Sequence, residues 1–234
     1  MTEPKLMKVK PDIRAITRLV PPSGNLVQGQ SELPIHPQLA AEAAAIIAAS
    51  QNHYGGSEGD ADLRKAVAAK IAKYNGIEVD VDARPFEVMI TNGGTGALIG
   101  VAQSYLRGYS ALVFEPYYPY HRRILEDFGA KTETFELDEA LSFEKDALLA
   151  RCKQLKDRAS FPLRMIIVCT PANPSGKVMS PAELEAIADV AKELDLLVVS
   201  DEVYEHYVTG ENPHTPIATL PDMWERTITV NSFS

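Results

Sequence analysis

The apolar stretch Ile166-Ile167-Val168-Cys169-Thr170 leads directly into Pro171-Ala172-Asn173-Pro174, which contains the polar residue Asn173. A second apolar stretch, Leu196-Leu197-Val198-Val199-Ser200, delivers an acid, Asp201, at its carboxyl end. Uninterrupted apolar runs of this length predict strands that are buried on both faces, as in parallel α/β sheets. Because ligands bind at the carboxyl ends of such strands, Asn173 and Asp201 are candidate ligand contacts.

Segments typical of strands and of helices alternate along the chain from residue 86 onward. The predicted strands span residues 86–91, 111–115, 132–137, 163–170, 196–200 and 227–231. The predicted helices span residues 37–50, 61–74, 95–107, 120–128, 144–156 and 181–194. The alternation predicts the α/β class, with a three-layer α/β/α sandwich around a mostly parallel sheet. Residues 1–42 are predicted to form an N-terminal arm of a small domain, and residues 43–234 a large domain.

Composition and charge limit the classes of function. The 234 residues carry a formal net charge of −9, whereas nucleic-acid binders are usually basic. Apolar runs reach only the length of a strand, and the amino terminus does not resemble a secretory signal. We therefore expect a cytoplasmic protein that contacts neither a membrane nor nucleic acid. The two cysteines, Cys152 and Cys169, are expected to be reduced thiols.

A glycine-rich loop, Asn92-Gly93-Gly94-Thr95-Gly96, separates the first predicted strand from its helix. Glycines let the backbone approach a ligand, and the following helix offers free N–H groups, so the loop is a candidate phosphate site. The same region also favours an alternative, a nicotinamide dinucleotide. Gly94, Gly96 and Gly100 form a loose dinucleotide fingerprint, and Glu115 ends the next strand at the appropriate spacing.

Polar residues at the other strand ends favour a different cofactor. Tyr118 follows the second predicted strand and can stack on a flat ring, and Tyr204 follows Asp201 closely. A carboxylate beside a heterocyclic nitrogen favours the protonated nitrogen, which makes pyridoxal phosphate an electron sink. Ser232, after the last strand, can add a phosphate contact. The histidines are assigned no role, because they lack metal-ligand spacing, and Lys177 is predicted to be solvated.

Five motifs in sequence order resemble those of one family. They are Tyr54-Gly55-x-x-x-Gly59-x-x-x-Leu63-Arg64, Gly93-Gly94-Thr95-Gly96-Ala97-Leu98, Glu115-Pro116-x-Tyr118, Asn173-Pro174-x-Gly176 and Asp201-Glu202-Val203-Tyr204. Together they resemble the fold-type I pyridoxal-phosphate enzymes of the class I/II aminotransferase family, over residues 29–234. Within that family, residues 214–229 are similar to the kynurenine/glutamine branch of broad specificity.

The resemblance implies a cofactor, pyridoxal 5′-phosphate, and a role for each matching residue. Asp201 would pair with the pyridinium nitrogen, Tyr118 would stack on the ring, and Tyr204 would bond the phenolic oxygen. Asn173 would contact the same oxygen and the substrate. The residues that would bind the phosphate are Gly93, Gly94, Thr95 and Ser232.

The resemblance also implies a homodimer with shared active sites. Gly29 resembles the arm glycine whose backbone meets the substrate carboxylate, and Tyr54 resembles the tyrosine that reaches the phosphate in the neighbouring subunit. In the family, the lysine that forms a Schiff base with the cofactor follows the strand-end serines, which places it directly after Ser234. We therefore expect the native polypeptide to be heavier than the 25.6 kDa of the present sequence.

The activity implied is transfer of an amino group from an L-amino acid to a 2-oxo acid by a ping-pong mechanism. A pyridoxal-phosphate C–S lyase on the same fold is an alternative that these residues leave open. A dinucleotide-binding oxidoreductase is a more distant alternative, and a non-enzymatic ligand sensor is another. Product analysis separates the first two, because a lyase releases ammonia and pyruvate whereas a transferase depends on an amino acceptor.

Overall fold

The computed structural model describes residues 33–49, 54–208 and 213–233, in two compact units, Met1–Tyr54 and Gly55–Ser234. Gly29 and Ser234 lie outside the described residues. The boundary between residues 42 and 43 remains a prediction. Within the described ranges, no helix is both long enough and apolar enough to cross a bilayer.

The first unit contains helix α1 (Pro37–Ala48), which confirms the predicted helix and ends two residues earlier than expected. Proline at its first position suits a helix start, because the missing N–H would have no partner there. No residue of α1 is buried in the structure, and its apolar side chains include Ile46 at 71% and Ile47 at 73% exposure.

The second unit is built on a five-stranded sheet. Its strands are β1 (Ser110–Glu115), β2 (Lys131–Glu136), β3 (Leu163–Cys169), β4 (Leu197–Asp201) and β5 (Thr227–Val230). They lie in the order β2-β1-β3-β4-β5, and every neighbouring pair is parallel. The predicted parallel sheet is therefore confirmed. The order reverses between β1 and β3, which is where doubly wound folds open a ligand crevice.

Four helices cover the two faces of this sheet, namely α3 (Gly93–Val101), α4 (Pro119–Asp127), α5 (Lys145–Lys156) and α6 (Pro181–Glu193). Helix α2 (Ala61–Asn75) precedes them and packs in a separate small core. Successive strand residues point to opposite faces, so Ile166 packs with α5 and α6 while Ile167 packs with α3 and α4. Two separate buried cores result, and they confirm the three-layer α/β/α sandwich.

Local sequence signals account for the helix boundaries. Ser180 and Glu183 form the capping box that begins α6, with the Ser180 Oγ accepting from the Glu183 N–H. Asp60 caps α2 by accepting from the Leu63 N–H at 2.9 Å, and Gly76 ends that helix with a φ of 67°. Glycine is favoured at this C-terminal position because it adopts positive φ without steric cost.

The strand predicted over residues 86–91 is wrong. Pro85–Glu87 forms a single 3-10 turn, and Val88 has extended angles (φ −126°, ψ 120°) without joining the sheet. Val88 instead packs in a small core with Ala68 and Val81. A strand also needs a ladder partner, and the Ile90 N–H donates to the Glu58 carbonyl at 2.9 Å rather than to a strand of the described sheet.

The edge strand β2 carries a carboxylate that is surrounded by cations. Glu133 is buried, and Lys131, Arg151 and Arg158 all lie within ion-pair distance of it. Burial alone raises the pKa of Glu133, but hydrogen bonds from Lys131 and Arg158 outweigh it, so the net pKa lies below its usual value. A carboxylate with a lowered pKa stabilises the folded state at neutral pH.

We expect Glu133→Gln to lower the free energy of unfolding at pH 7 by about 1–2 kcal/mol, because three cations lose a charged partner. The lowered pKa means that this stabilisation is complete above the unfolded-state pKa and is lost as pH falls through the folded-state pKa. The deficit should therefore shrink as pH falls below about 4.3, the ordinary pKa of a glutamate in an unfolded chain. Urea unfolding at a series of pH values from 7 downward measures it. Glu136→Gln, an exposed carboxylate on the same strand, is the control, and a pH-independent deficit for E133Q would contradict the prediction.

Candidate active site

The candidate site begins at the carboxyl end of β4, where Asp201 is buried with 4% of its surface exposed. Its Oδ2 lies 2.7 Å from Nε2 of His121, which is 2% exposed and belongs to α4. Because an ionised carboxylate only accepts, Nε2 of His121 carries the proton and donates it. The Val203 N–H donates to the other oxygen, Oδ1, at 3.4 Å.

His121 connects this acid to an aromatic residue. The Tyr118 ring lies edge-on to His121, with centroids 5.5 Å apart, and stacks on Tyr120 at 5.3 Å and 18°. Pro119 begins α4, so Tyr118 precedes the helix and His121 lies in its first turn. The structure thus brings Tyr118 and Asp201 together through His121. The prediction that the histidines have no role is wrong for this residue.

The amino-terminal end of α3 lies beside the same strand ends. A Cβ added to Gly94 would lie 3.3 Å from Val230 and 3.4 Å from Val203, so glycine allows the helix to begin against these side chains. Gly93 has a φ of 64°, which glycine adopts readily. The first-turn N–H groups of a helix, here including those of Gly94 and Thr95, have no partners within the helix. Ser232 follows β5 by two residues.

The loop after β3 lies next to Asp201. Cys169 is in register with Asp201, and the Thr170 N–H donates to the Asp201 carbonyl at 3.0 Å. The half-buried Asn173 follows, and its backbone N–H contacts the Cys169 sulfur. Burial, together with the Asp201 charge, raises the pKa of Cys169 to about 12. Both cysteines are free, as expected, and Cys169 remains a neutral thiol at pH 7.

Lys177 lies on the same loop, and the prediction that it is solvated is wrong. Only 12% of its side chain is exposed, and its Nζ lies 2.8 Å from Oε1 of Glu183. Glu183 also completes the α6 capping box, so this ion pair joins the loop after β3 to the start of α6. The only feature of the sequence that indicates this contact is the opposite charge of the two residues.

Asp201 and its neighbour Glu202 point to opposite faces of the sheet. Glu202 is fully buried, and its two oxygens accept from Ser200 Oγ at 2.8 Å and from His214 Nε2 at 2.9 Å. His214 is therefore a second histidine with a buried partner. The Glu202 N–H donates to the Val230 carbonyl, which extends the pairing of β4 with β5 by one bond.

The remaining predicted residues are less enclosed. Tyr204 lies in the turn after β4 with 38% of its surface exposed, and its ring meets Tyr207 edge-on at 5.9 Å. Tyr54 belongs to the first unit and is fully exposed. Gly29 lies outside the described residues. The described geometry thus brings together Tyr118, Asp201, Gly94 and the strand ends that precede Asn173 and Ser232.

Comparison with known proteins identifies the family. The model of the family described as aminotransferase class I and II matches residues 23–234. The chain belongs to this family. It is 36% identical over 183 residues to an aspartate aminotransferase of Pyrococcus abyssi, covering 78% of the chain and 45% of that protein.

Two further relatives show the range of the family. The structure of N-succinyldiaminopimelate aminotransferase from Mycobacterium tuberculosis superposes with a TM-score of 0.77 at 33% identity, covering 88% of this chain and 52% of that one. Human kynurenine–oxoglutarate transaminase 3 is 32% identical over 215 residues, 89% of this chain and 46% of that protein. The chain spans about half the length of the curated relatives it matches.

These findings confirm the predicted family and fold class, and a kynurenine transaminase is among the relatives. The narrower branch assignment remains a prediction, since relatives named for other substrates are 35–36% identical. The comparisons provide no support for the lyase or dinucleotide alternatives.

Members of this family use pyridoxal 5′-phosphate. The chemical groups at the site fit that cofactor. The buried carboxylate of Asp201 suits a cationic ring nitrogen, and the half-buried ring of Tyr118 suits a flat heterocycle. The start of α3 offers N–H groups and a positive dipole end to a phosphate, next to a glycine that admits close approach.

We expect His121→Phe to keep the ring packing against Tyr118 and to remove the N–H that Asp201 accepts. The free energy of unfolding should fall by about 1–3 kcal/mol, because a buried carboxylate oxygen loses its partner. Urea unfolding at pH 7 measures this. His36→Phe is the matched control, because His36 is exposed and its side chain makes no cap hydrogen bond. Equal unfolding midpoints for the two variants would refute the assignment.

Proposed function

We propose that this protein is a pyridoxal-phosphate-dependent aminotransferase that moves an amino group between an L-amino acid and a 2-oxo acid. The observation that carries the proposal is the buried contact between Asp201 and His121, beside Tyr118 and the start of α3. Each oxygen of this buried acid accepts one donor, and the remaining lone pairs are available to a cationic ligand. Membership of the class I/II family supports the proposal.

When bound, pyridoxal phosphate supplies the electron sink that accepts charge from the α-carbon of the amino acid. The task of Asp201 is to hold the proton on the ring nitrogen, since a neighbouring carboxylate favours the protonated form. His121 donates to Oδ2 and fixes the orientation of this carboxylate. Tyr118 covers one face of the ring, and its stacking on Tyr120 holds it in place.

The other cofactor contacts follow from position in the fold. Asn173 and Tyr204 would each donate a hydrogen bond to the phenolic oxygen of the ring. The phosphate would be bound by hydroxyl and backbone donors at the start of α3 and the end of β5, namely Gly93, Gly94, Thr95 and Ser232. A helix start binds a phosphate both through unpaired N–H groups and through its dipole.

The proposed assembly is a cytoplasmic homodimer. Gly29 would meet the substrate carboxylate through its backbone, and Tyr54 would reach the phosphate of the neighbouring subunit. The full exposure of Tyr54 is compatible with such a role, because a side chain that serves another subunit need not pack on its own.

The proposal is tested on the protein expressed from its complete gene and loaded with pyridoxal phosphate. Each L-amino acid is added in turn, and formation of the corresponding 2-oxo acid is measured with and without an amino acceptor. Turnover that depends on the acceptor is expected. Release of ammonia and pyruvate from a cysteine conjugate, independent of any acceptor, would instead identify a lyase.

We expect Asp201→Asn to lower kcat/KM for amino transfer by about 10²–10³-fold, because a neutral amide no longer favours the charged ring nitrogen. Steady-state kinetics on the best amino acid measure the loss. Asp189→Asn is the control, since Asp189 is half exposed and pairs with Lys145 on the surface. A D201N enzyme within about threefold of the unsubstituted protein would contradict the assigned role.

A further inference from the structure

The residue after Tyr204 has a buried carboxylate that is bonded to a different part of the fold. The side chain of Glu205 is 9% exposed, and its Oε1 accepts a hydrogen bond from Lys70. Its Oε2 accepts from Nδ2 of Asn75 at 2.7 Å, and Lys70 donates also to Oδ1 of Asn75 at 2.9 Å. We call Glu205, Lys70 and Asn75 the Glu205 clasp. It joins the last turns of α2 to the turn that carries Tyr204.

Tyr204 depends on its neighbours for its position. Its own ring is 38% exposed, and the ring it contacts, Tyr207, is 71% exposed, so burial does not fix it. The residues on either side point inward: Val203 lies against the start of α3, and Glu205 enters the clasp. Tyr204 therefore lies between two side chains that are anchored in the fold.

Helix α2 is a firm support for this clasp. Arg64, near its start, is 6% exposed and donates to the carbonyls of Pro85 at 2.9 Å and Gly59 at 3.3 Å. Ala68, one turn further, packs in the small core with Val81. The helix is thus bonded to its surrounding loops at one end and to the Tyr204 turn at the other.

A metal ion is the rival explanation for the same carboxylate. Glu202, Glu205 and His214 bring ligand atoms within 4.8 Å of one another. The positive charge next to Glu205 is already supplied by Lys70, and Glu202 already accepts from His214. Burial raises the pKa of Glu205, but the hydrogen bonds from Lys70 and Asn75 outweigh that effect. The net pKa therefore lies below its usual value without a metal.

We propose that the Glu205 clasp positions the Tyr204 hydroxyl against the phenolic oxygen of the cofactor, which makes Glu205, Lys70 and Asn75 positioning residues. The inference rests on the proposed function. Without the clasp, α2 still meets the turn through the edge-on contact of Tyr74 with His206, whose ring centroids lie 5.9 Å apart. The turn also keeps its short-range bonds from the Glu205 N–H to Glu202 and from the Tyr207 N–H to Tyr204. Tyr204 then samples orientations in which its hydrogen bond to the cofactor is long or absent.

The experiment compares Glu205→Gln with Tyr204→Phe in the protein expressed from its complete gene. The dissociation constant for pyridoxal phosphate, measured by equilibrium dialysis, should rise roughly tenfold in E205Q, toward the value for Y204F. On the Y204F background, E205Q should add less than about twofold, because both changes act through one hydroxyl. Glu193→Gln breaks a surface pair with Lys153 and is the matched control.

Two further readouts separate positioning from general stability. Amide exchange of residues 203–207 should accelerate in E205Q without cofactor. The pH at which the absorption band of the bound cofactor changes should shift in the same direction as in Y204F and stay unchanged in E193Q. If E205Q does not fold, Lys70→Met replaces it in the experiment, because this change removes one charge and keeps an unbranched side chain. Lys70→Arg should restore binding of the cofactor.

The two proposals fail in different ways. If the unsubstituted protein does not bind pyridoxal phosphate, the proposed function falls and this inference falls with it. If the cofactor binds and Y204F weakens it while E205Q and K70M behave like E193Q, only the clasp is refuted. Additive losses in the Y204F/E205Q double variant would also refute it.

Discussion

A single hydrogen bond, from Nε2 of His121 to Oδ2 of Asp201 at 2.7 Å, determines how the candidate site is assembled. A charge this deeply buried is tolerated only when donors satisfy it, so the contact is a condition for Asp201 to stand at the end of β4. The same imidazole meets the Tyr118 ring edge-on. One side chain of α4 thereby fixes both the acid and the aromatic residue relative to the sheet.

The parallel sheet explains why these groups meet at all. All five strands end at one edge, and the strand order reverses between β1 and β3, so the loops after these two strands diverge. Side chains alternate between faces, which sends Asp201 toward α4 and Glu202 toward the opposite face. The Asp–Glu pair therefore serves two purposes, because Asp201 faces the site and Glu202 bonds Ser200 and His214 in the interior.

Much of this arrangement could be predicted from the sequence, because its causes are local. Apolar runs gave the buried strands, and Ser180 with Glu183 predicted the start of α6. Motif order placed Asp201 and the α3 glycines near each other, since parallel strands bring their carboxyl ends to one edge. The pattern around Val88 also predicted its extended backbone, but a strand needs a ladder, and no partner for it exists among the described strands.

The misses involve polar partners that no local sequence pattern marks. His121 and Asp201 are 80 residues apart, so neither spacing nor composition marks the histidine as a partner. Lys177 has an ordinary surface composition around it, and only the fold brings Glu183 within 2.8 Å. Sequence patterns indicate the periodicity of apolar residues and the caps of helices. A buried polar pair depends instead on which helix packs beside which strand end.

Under the proposed function, the two ends of the cofactor ring would be held by separate supports. The nitrogen end depends on Asp201, whose carboxylate is oriented by α4 through His121. The phenolic end depends on Tyr204, whose turn is held by α2 through Glu205. Helices α4 and α2 belong to different cores, so each support has its own packing. Val203 links them, because its N–H donates to Oδ1 of Asp201 while its side chain lies beside the start of α3 and next to Tyr204 in the chain. The electronic demand of the chemistry then falls on the charge of Asp201, and the geometric demand falls on the reach of the Tyr204 hydroxyl.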